Sequence, residues 1–381
     1  MSKYVIIDVA NLMYRARHVV RGDAFEQSGM ALHIIFRSMK KLFKEQKADH
    51  AVLCLEGGGS WRFAEYPAYK SKRYMDRKAA KAEQSDRQSE DDAVFDQTMK
   101  DFIEFMSEKT RCTVLCQPGI EGDDFVARWI QLHPNDEHVI LSSDSDFVQL
   151  IAPNVSIYNG MDDRMMTLDG VFHGQTGEPM VFNVDSGSGK IKVKGTISEE
   201  TKKHDKEERE KAKRIEGYEP VPFTFDIESD WQRKALFVKI VRGDTGDSVF
   251  SAYPGVRYKG SAKKVGICEA WDDRGGQGYH WNNFMLQSWE KLLGVDANGN
   301  NLTEKVRVLD EYTINERMID LSKQPDDVKE KLDACIIEAV QKEVVGNVGM
   351  AFIKFCQRNS LPNLSKEAED HAKILNKGYN S

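Results

Sequence analysis

Three short apolar runs early in the chain end on carboxylates: Tyr4-Val5-Ile6-Ile7 on Asp8, Ala51-Val52-Leu53-Cys54-Leu55 on Glu56, and Val139-Ile140-Leu141, through two serines, on Asp144. Unbroken apolar runs of this length read as strands buried on both faces, the habit of parallel sheets. Helical spacing lies between them, at Leu32 to Phe43 and Ala93 to Met106, and further strands are expected at Thr113-Val114-Leu115 and Val155-Ser156-Ile157-Tyr158. The alternation predicts an α/β fold over residues 1 to about 158, a parallel sheet with helices on both faces. All C-terminal strand ends of such a sheet share one edge, where ligands of open α/β folds bind, so the acids are expected to meet there.

More acids join them. Pro118-Gly119 opens a helix carrying Glu121, Asp123 and Asp124 in its first turn, Asp146 follows Asp144, and Asp244 and Asp247 stand in Arg242-Gly243-Asp244-Thr245-Gly246-Asp247-Ser248 after a helix over Trp231 to Val241. Acids also suit helix N-termini as caps and dipole partners, so Glu121 and Asp124 fit a purely structural role equally well. Nothing in the local sequence cancels so much negative charge, and a divalent cation is its natural partner. The chemistry such a set supports is two-metal phosphodiester hydrolysis.

Whole-chain charge is acidic, −7, which argues against a non-specific nucleic-acid coat, but local charge decides in a chain of this kind. Between Trp61 and Lys81, seven basic residues (Arg62, Lys70, Lys72, Arg73, Arg77, Lys78, Lys81) interleave with Phe63, Tyr66, Tyr69 and Tyr74 against two acids. Basic groups neutralise phosphates and aromatic faces stack on bases; a solvated helix face accounts for the lysines but not for the aromatics. A second basic stretch, Gly255-Val256-Arg257-Tyr258-Lys259-Gly260, is expected to lead into a helix bearing Lys263 and Lys264, whose free amides suit phosphate. The six cysteines lack a C-x-x-C pair and read as reduced core thiols. No leader and no long apolar run is present, so a soluble, cytoplasmic protein is expected.

The remaining stretches carry less information. Met180 to Lys194 reads as a β-hairpin, and Glu199 to Arg214, with seven basic and six acidic residues, as a solvated charged helix. Helical runs at Trp281 to Leu293, Val328 to Val344 and Val348 to Arg358 suggest an all-α C-terminal part, with a tail expected to fray after Ser365. The division this implies is an α/β core over 1–160 with a basic, aromatic segment at about 61–95, an insertion over 161–230, and a region over 231–381.

Five motifs in order, I-D-V-A-N-L at Asp8, W-R-F-A-E-Y-P-A-Y-K-S-K-R from Trp61, E-G-D-D at Glu121, S-S-D-S-D-F-V-Q-L at Asp144, and R-G-D-T-G-D-S followed by Y-P-G-V, resemble the flap endonuclease and 5′→3′ exonuclease family over residues 4 to about 264. The resemblance is closest to the bacteriophage ribonuclease H branch, through Leu309 to Asn315 and Ile319-Asp320-Leu321. It implies a PIN-like fold, a helical arch and a helix-three-turn-helix that grips duplex. It also implies a catalytic set of Asp8, Glu56, Glu121, Asp123, Asp144 and Asp146 with Lys70 and Arg73. Two Mg2+ ions, replaceable by Mn2+, would be held by Asp8, Glu56, Glu121, Asp123 and Asp144 on one side and Asp146, Asp244 and Asp247 on the other, with Asp124 supporting. Nucleic acid would meet Arg62, Tyr69, Lys70, Lys72, Arg73, Arg77, Gly255, Arg257, Lys259, Gly260, Lys263 and Lys264, and the loop from Gly255 to Gly260 would hold K+. The implied activity is removal of RNA primers and 5′ flaps during DNA replication by a monomer acting on DNA and RNA-DNA hybrids, with single-strand-binding protein among its partners. Two features depart from the pattern: Glu56 stands where Asp is usual, and G-V-R-Y-K-G replaces G-x-G-x-K. The competing readings are a PIN-type ribonuclease, which would lack the duplex-binding module, and an inactive DNA-binding accessory, against which stand intact acids at eight of nine positions.

Overall fold

The computed structural model describes residues 1–19, 22–82, 85–295, 300–341 and 345–379. The first part alternates as expected: β1 (Lys3–Asp8), α1 (Val9–Val19), α2 (Ala24–Gln46), β2 (His50–Cys54), α3 (Arg62–Glu65), α4 (Ser71–Ala82), α5 (Asp86–Lys109) and β3 (Thr113–Leu115). Then come α6 (Gly122–Leu132), β4 (Glu137–Leu141), a 3-10 turn over Ser145–Leu150, and β5 (Val155–Asn159). Strands β6 (Arg164–Thr167), β7 (Gly170–His173), β8 (Pro179–Val184) and β9 (Ile191–Thr196) precede α7 (Ile197–Arg214) and α8 (Trp231–Arg242). The chain ends with α9 (Ile267–Asp272), α10 (Tyr279–Met285), β10 (Ser288–Val295), β11 (Asn301–Arg307), α11 (Val308–Ile319), α12 (Asp326–Val340), α13 (Val348–Arg358), α14 (Pro362–Lys366) and α15 (Ala368–Leu375). Residues 83, 84 and 342–344 of the expected arch and helix lie outside the described residues.

One nine-stranded sheet runs β3-β2-β1-β4-β5-β6-β7-β8-β9, parallel through β5 and antiparallel beyond it. Alternation along β1 divides the core: Val5 and Ile7 face a layer containing Phe36, Phe102 and Phe352, while Tyr4 and Ile6 face one containing Phe125, Trp129 and Leu332. The strands are apolar throughout because both faces are covered. Residues 161–230 do not stand apart from this core, since β6 to β9 prolong the same sheet, with β8 and β9 forming the expected hairpin. Helix α7 is largely exposed, yet its Glu208 is buried and accepts from Tyr218 Oη at 2.6 Å and Val221 N at 3.0 Å, tying down the loop that follows.

The C-terminal part is not all helical. The helix expected through Leu293 stops at Met285, and β10 pairs with β11 as an antiparallel hairpin. Period two wins there because Trp289 donates from Nε1 to Ala252 O at 3.0 Å and Lys291 pairs with Glu311, while Glu290 and Leu292, which alternate with them, are exposed. The tail is also ordered: α15 buries Ala368, His371 and Leu375, and its turn packs on α2 and α13 through Phe36 and Phe352. Among the described residues no helix is long and apolar enough to cross a membrane. Of the cysteines, Cys54, Cys112 and Cys356 are buried as core thiols, but Cys116 is exposed and not in the core.

His371 is 1% exposed, and burial, with help from the nearby Lys40 and Arg37, lowers its pKa to about 4, against the opposing fields of Glu367 and Asp370. The unfolded chain therefore takes up a proton on this ring that the folded chain refuses between about pH 6.5 and 4. Stability is full above that window and falls as pH drops through it, by at most about 1.4 kcal/mol per pH unit. Urea unfolding across the window should show this slope, and His371→Leu should flatten it; an unchanged slope in the variant would contradict the assignment.

Candidate active site

The parallel register places Asp8 level with Cys54 at the C-terminal edge, and Ile7 level with Leu141, so the segments that leave β1, β2 and β4 begin side by side. The first delivers Asp8, the second Glu56, and the third the 3-10 turn with Asp144 and Asp146. Helix α6 enters at the same edge with Glu121, Asp123 and Asp124, and the loop after α8 adds Asp244 and Asp247. The close approach of the segments needs Gly57, where a Cβ would fall 1.7 Å from Gln117 O. Glu121 occupies the N-cap position of α6 but makes no capping hydrogen bond, so the helix does not account for its carboxylate.

The acids fall into two electrostatic groups. Asp8 accepts from Asn11 N at 3.1 Å and Ser142 Oγ at 2.8 Å, yet burial and the neighbouring Asp144 and Glu56 push its carboxyl up to about 7. Burial likewise raises Asp123, with Asp8, Asp144 and Asp146 adding to it, and raises Asp144, which also accepts from Asp146 N at 2.9 Å. Among the described residues no basic side chain forms an ion pair with these three, although the field of Lys239 pulls Asp144 part of the way back down. Glu56 is exposed at the rim, within the field of Lys70, Arg73 and Arg77.

The second group is already paired, contrary to the expectation that nothing local cancels the charge. Arg62, 1% exposed, donates to Asp124 from Nη1 and Nη2 at 3.0 Å each, to Glu121 at 2.7 Å and to Met318 O at 3.0 Å. Trp61 Nε1 also reaches Asp124 at 3.0 Å, so this carboxylate is filled by protein donors. Burial opposes ionisation of Glu121, but Lys70 and Arg62 hold its carboxyl below the ordinary value. Lys239 donates to Asp146 at 2.5 Å and stands 2.7 Å from Asp244. Arg73 lies 2.8 Å from Asp247 as an ion pair without hydrogen-bond alignment.

Two residues expected to face nucleic acid are therefore turned inward. Arg62 is a buried counter-ion because two carboxylates and a carbonyl compete for its guanidinium, and Tyr69, 5% exposed, aims its hydroxyl between Glu121 (3.1 Å) and Asp247 (3.2 Å). Lys70 and Arg73 stay at the mouth; Lys70 takes a left-handed φ of 51° and its amide donates to Asp247 O at 2.7 Å, tying the arch base to the loop after α8. Lys72 and Arg77 are exposed on α4, and Gly255, Arg257, Lys259, Lys263 and Lys264 are exposed on the loop between α8 and α9. Lys263 and Lys264 sit in a turn, not on a helix: α9 starts at Ile267 and bears no basic residue. The amides of Gly260 and Gly266 are taken by the Glu269 carboxylate, at 3.0 and 2.9 Å, and Val256 O accepts from Arg242 at 2.8 Å where K+ was expected.

Lys239 is the principal residue that the motifs did not single out; its one signal is a lysine inside the apolar run Phe237-Val238-Lys239-Ile240-Val241, just before the acids. Five of the acids, Glu121, Asp123, Asp146, Asp244 and Asp247, border a cleft open to solvent, lined also by Met318, Ile319 and Leu321. As the side chains stand, no three ligating groups among the described residues enclose an ion. The donor chemistry of Asp8, Asp123 and Asp144, all carboxylate oxygen and desolvated, fits a hard divalent cation.

Residues 3–175 match the 5′-3′ exonuclease, N-terminal resolvase-like domain family. Flap endonuclease Xni of Shewanella piezotolerans is 25% identical over 197 residues, which span 49% of this chain and 70% of that protein. The bacteriophage T5 flap endonuclease, in a pseudo-enzyme-product complex with DNA and metal ions, superposes with a TM-score of 0.50 at 16% identity, covering 89% of this chain and 100% of that one. The same T5 protein co-crystallised with metal ions gives 0.50 at 17% identity, covering 88% and 99%. At such identities the structural likeness establishes the shared fold.

The buried Arg62 pairing carries its own test. Removing one partner of a buried ion pair costs about 3–5 kcal/mol because the other charge is stranded. Arg62→Met should lower the unfolding free energy in urea by about that amount, and adding Asp124→Asn should restore much of it. A negligible effect of Arg62→Met would place Asp124 outside the pairing described.

Proposed function

We propose, from the match of residues 3–175 to the 5′-3′ exonuclease N-terminal domain and the likeness to flap endonuclease Xni, that this chain is a flap endonuclease and 5′-3′ exonuclease that hydrolyses phosphodiester bonds near 5′ ends, removing RNA primers from RNA-DNA hybrids and cutting 5′ flaps during DNA replication. The observation that carries the reading is the meeting of acids from five separate segments at one sheet edge, three of them, Asp8, Asp123 and Asp144, without an ion-pair partner among the described residues and raised by burial and neighbouring acids. Two Mg2+ ions, or Mn2+ in their place, would be held by that uncompensated set with Glu56 and Glu121, and by Asp146, Asp244 and Asp247. A divalent ion bound there lowers the pKa of water and neutralises charge on the scissile phosphate.

The chain's own residues do the rest. Lys70 and Arg73, at the mouth of the cleft, attract a phosphate to the acid cluster that would otherwise repel it. The exposed cations of α4, Lys72, Arg77, Lys78 and Lys81, receive the strand carrying the 5′ end. Arg257, Lys259, Lys263 and Lys264 lie on the loop after Asp247 and grip the duplex through phosphates, which fixes how far along the strand the cleft is presented. Asp124, enclosed by Arg62 and Trp61, holds that frame in place and is not exposed to the reacting groups.

The test compares Mg2+-dependent cleavage of a 5′-flap duplex, an RNA-DNA hybrid and single-stranded RNA. Flap and hybrid should be cut, and Asp144→Asn should lose on the order of a hundredfold or more in rate, the scale expected when a carboxylate essential to charge stabilisation is removed. Cleavage of single-stranded RNA alone would favour a structured-RNA ribonuclease, and full activity of the variant would overturn the assignment of the acids.

A further inference from the structure

Lys239 is 8% exposed, and its ammonium lies between an acid delivered by β4 and an acid delivered by α8, 2.5 Å from Asp146 and 2.7 Å from Asp244. Two carboxylates brought this close in a desolvated cleft repel each other unless a cation stands between them. A lysine supplies that cation permanently, but on a flexible stem whose compact head group can be withdrawn. The same two acids belong to the half of the cleft assigned above to a second divalent ion.

The segment between 161 and 230 explains how the lysine is held there. The β8-β9 turn presses on the part of α8 that carries Lys239: a Cβ on Gly189, whose φ is 73°, would fall 2.4 Å from Ala235 O, 2.8 Å from Lys239 N and 3.1 Å from Lys239 Cβ. Ser186 O in the same turn accepts from Arg242 Nε at 3.0 Å, one helical turn farther on. Gly189, Asp146 and Lys239 also border one shallow groove behind the acid cleft. Glycine is required where this turn meets the helix, and the contact sets the direction in which the lysine leaves it.

We propose that Lys239 is a tethered cation, positioned by the β8-β9 turn, that fills the Asp146-Asp244 position when no ion is bound, so that a divalent cation enters that position only by displacing the ammonium. The proposal rests on the nuclease reading above and adds a regulatory property to the same site: two unequal cation positions, one open at Asp8, Asp123 and Asp144, the other self-neutralised. It also gives the 161–230 segment a role, that of holding a positioning residue. The pair Asp146 and Asp244 stays folded and spaced in metal-free protein because its counter-ion is part of the chain.

The experiment is a Mn2+ titration of the full chain without nucleic acid, read by electron paramagnetic resonance of free Mn2+, with thermal unfolding in chelator and in Mn2+ alongside. The wild-type protein should show one stronger and one weaker site. Lys239→Met should strengthen the weaker site on the order of tenfold, the scale of removing a unit charge from a partly buried cleft. It should also lower Tm in chelator, with the loss made good by Mn2+. Lys239→Arg, which keeps the charge, should titrate as wild type, and Gly189→Ala, which keeps every charge but pushes on α8, should move the weaker site in the same direction as Lys239→Met. Two-site binding identical in wild type, Lys239→Met and Gly189→Ala would overturn the tethered cation while leaving the nuclease reading intact. Absence of Mn2+ binding in all of them would overturn both.

Discussion

Carboxylates removed from water are stable only when something positive is set beside them, and this chain brings nine carboxylates, all but Glu56 buried or half-buried, to one sheet edge. Most of the architecture around that edge answers the demand. Arg62 turns into the interior from α3 to meet Asp124 and Glu121; Lys70 adopts a left-handed backbone to reach Glu121; Lys239 lies between Asp146 and Asp244. The groups left over are Asp8, Asp123 and Asp144, which burial and the fields of neighbouring acids raise above their ordinary range, with Lys239 offsetting this only in part at Asp144. A cleft that compensates most of its charge and withholds compensation from one corner is poised to take a cation at that corner.

The compensating pairs also join parts of the chain far apart in sequence. Arg62 Nε donates to Met318 O, so the entrance to the arch is anchored on the end of α11, and Lys70 N donates to Asp247 O, so the arch base moves with the loop that carries the exposed duplex-side cations. Gln324 Nε2 reaches Asp124 O at 2.9 Å from the turn before α12. The C-terminal helices sit mainly on the core, where α13 packs on α2 through Phe36 and Phe352 with ring centroids 5.1 Å apart. They stiffen the sheet from its flank and do not form a separate cap.

Where each acid would lie could be read locally: Asp8 ends an apolar run, Asp144 follows another after two serines, and α6 begins at a Pro-Gly turn with Asp123 inside its first turn. These signals depend on neighbours a few residues away, which is what makes the element ends legible in the sequence. The inward turn of Arg62 was not legible, because a basic residue among aromatics looks the same whether its partner is a phosphate or a carboxylate about sixty residues on. Lys239 had only its apolar flanks to mark it. The addition of β6 to β9 to the main sheet, and the β10-β11 hairpin, rest on strand pairing and on Trp289 and Lys291 finding Ala252 and Glu311, none of which local spacing encodes.

The central claim is the division of the acids into an open set and a self-neutralised set. Anomalous diffraction from crystals equilibrated with limiting Mn2+ tests it most directly. The first ion should appear among Asp8, Asp123 and Asp144, with Lys239 still between Asp146 and Asp244. A first ion bound by Asp146 and Asp244, with the lysine expelled and the other three carboxylates empty, would contradict the account.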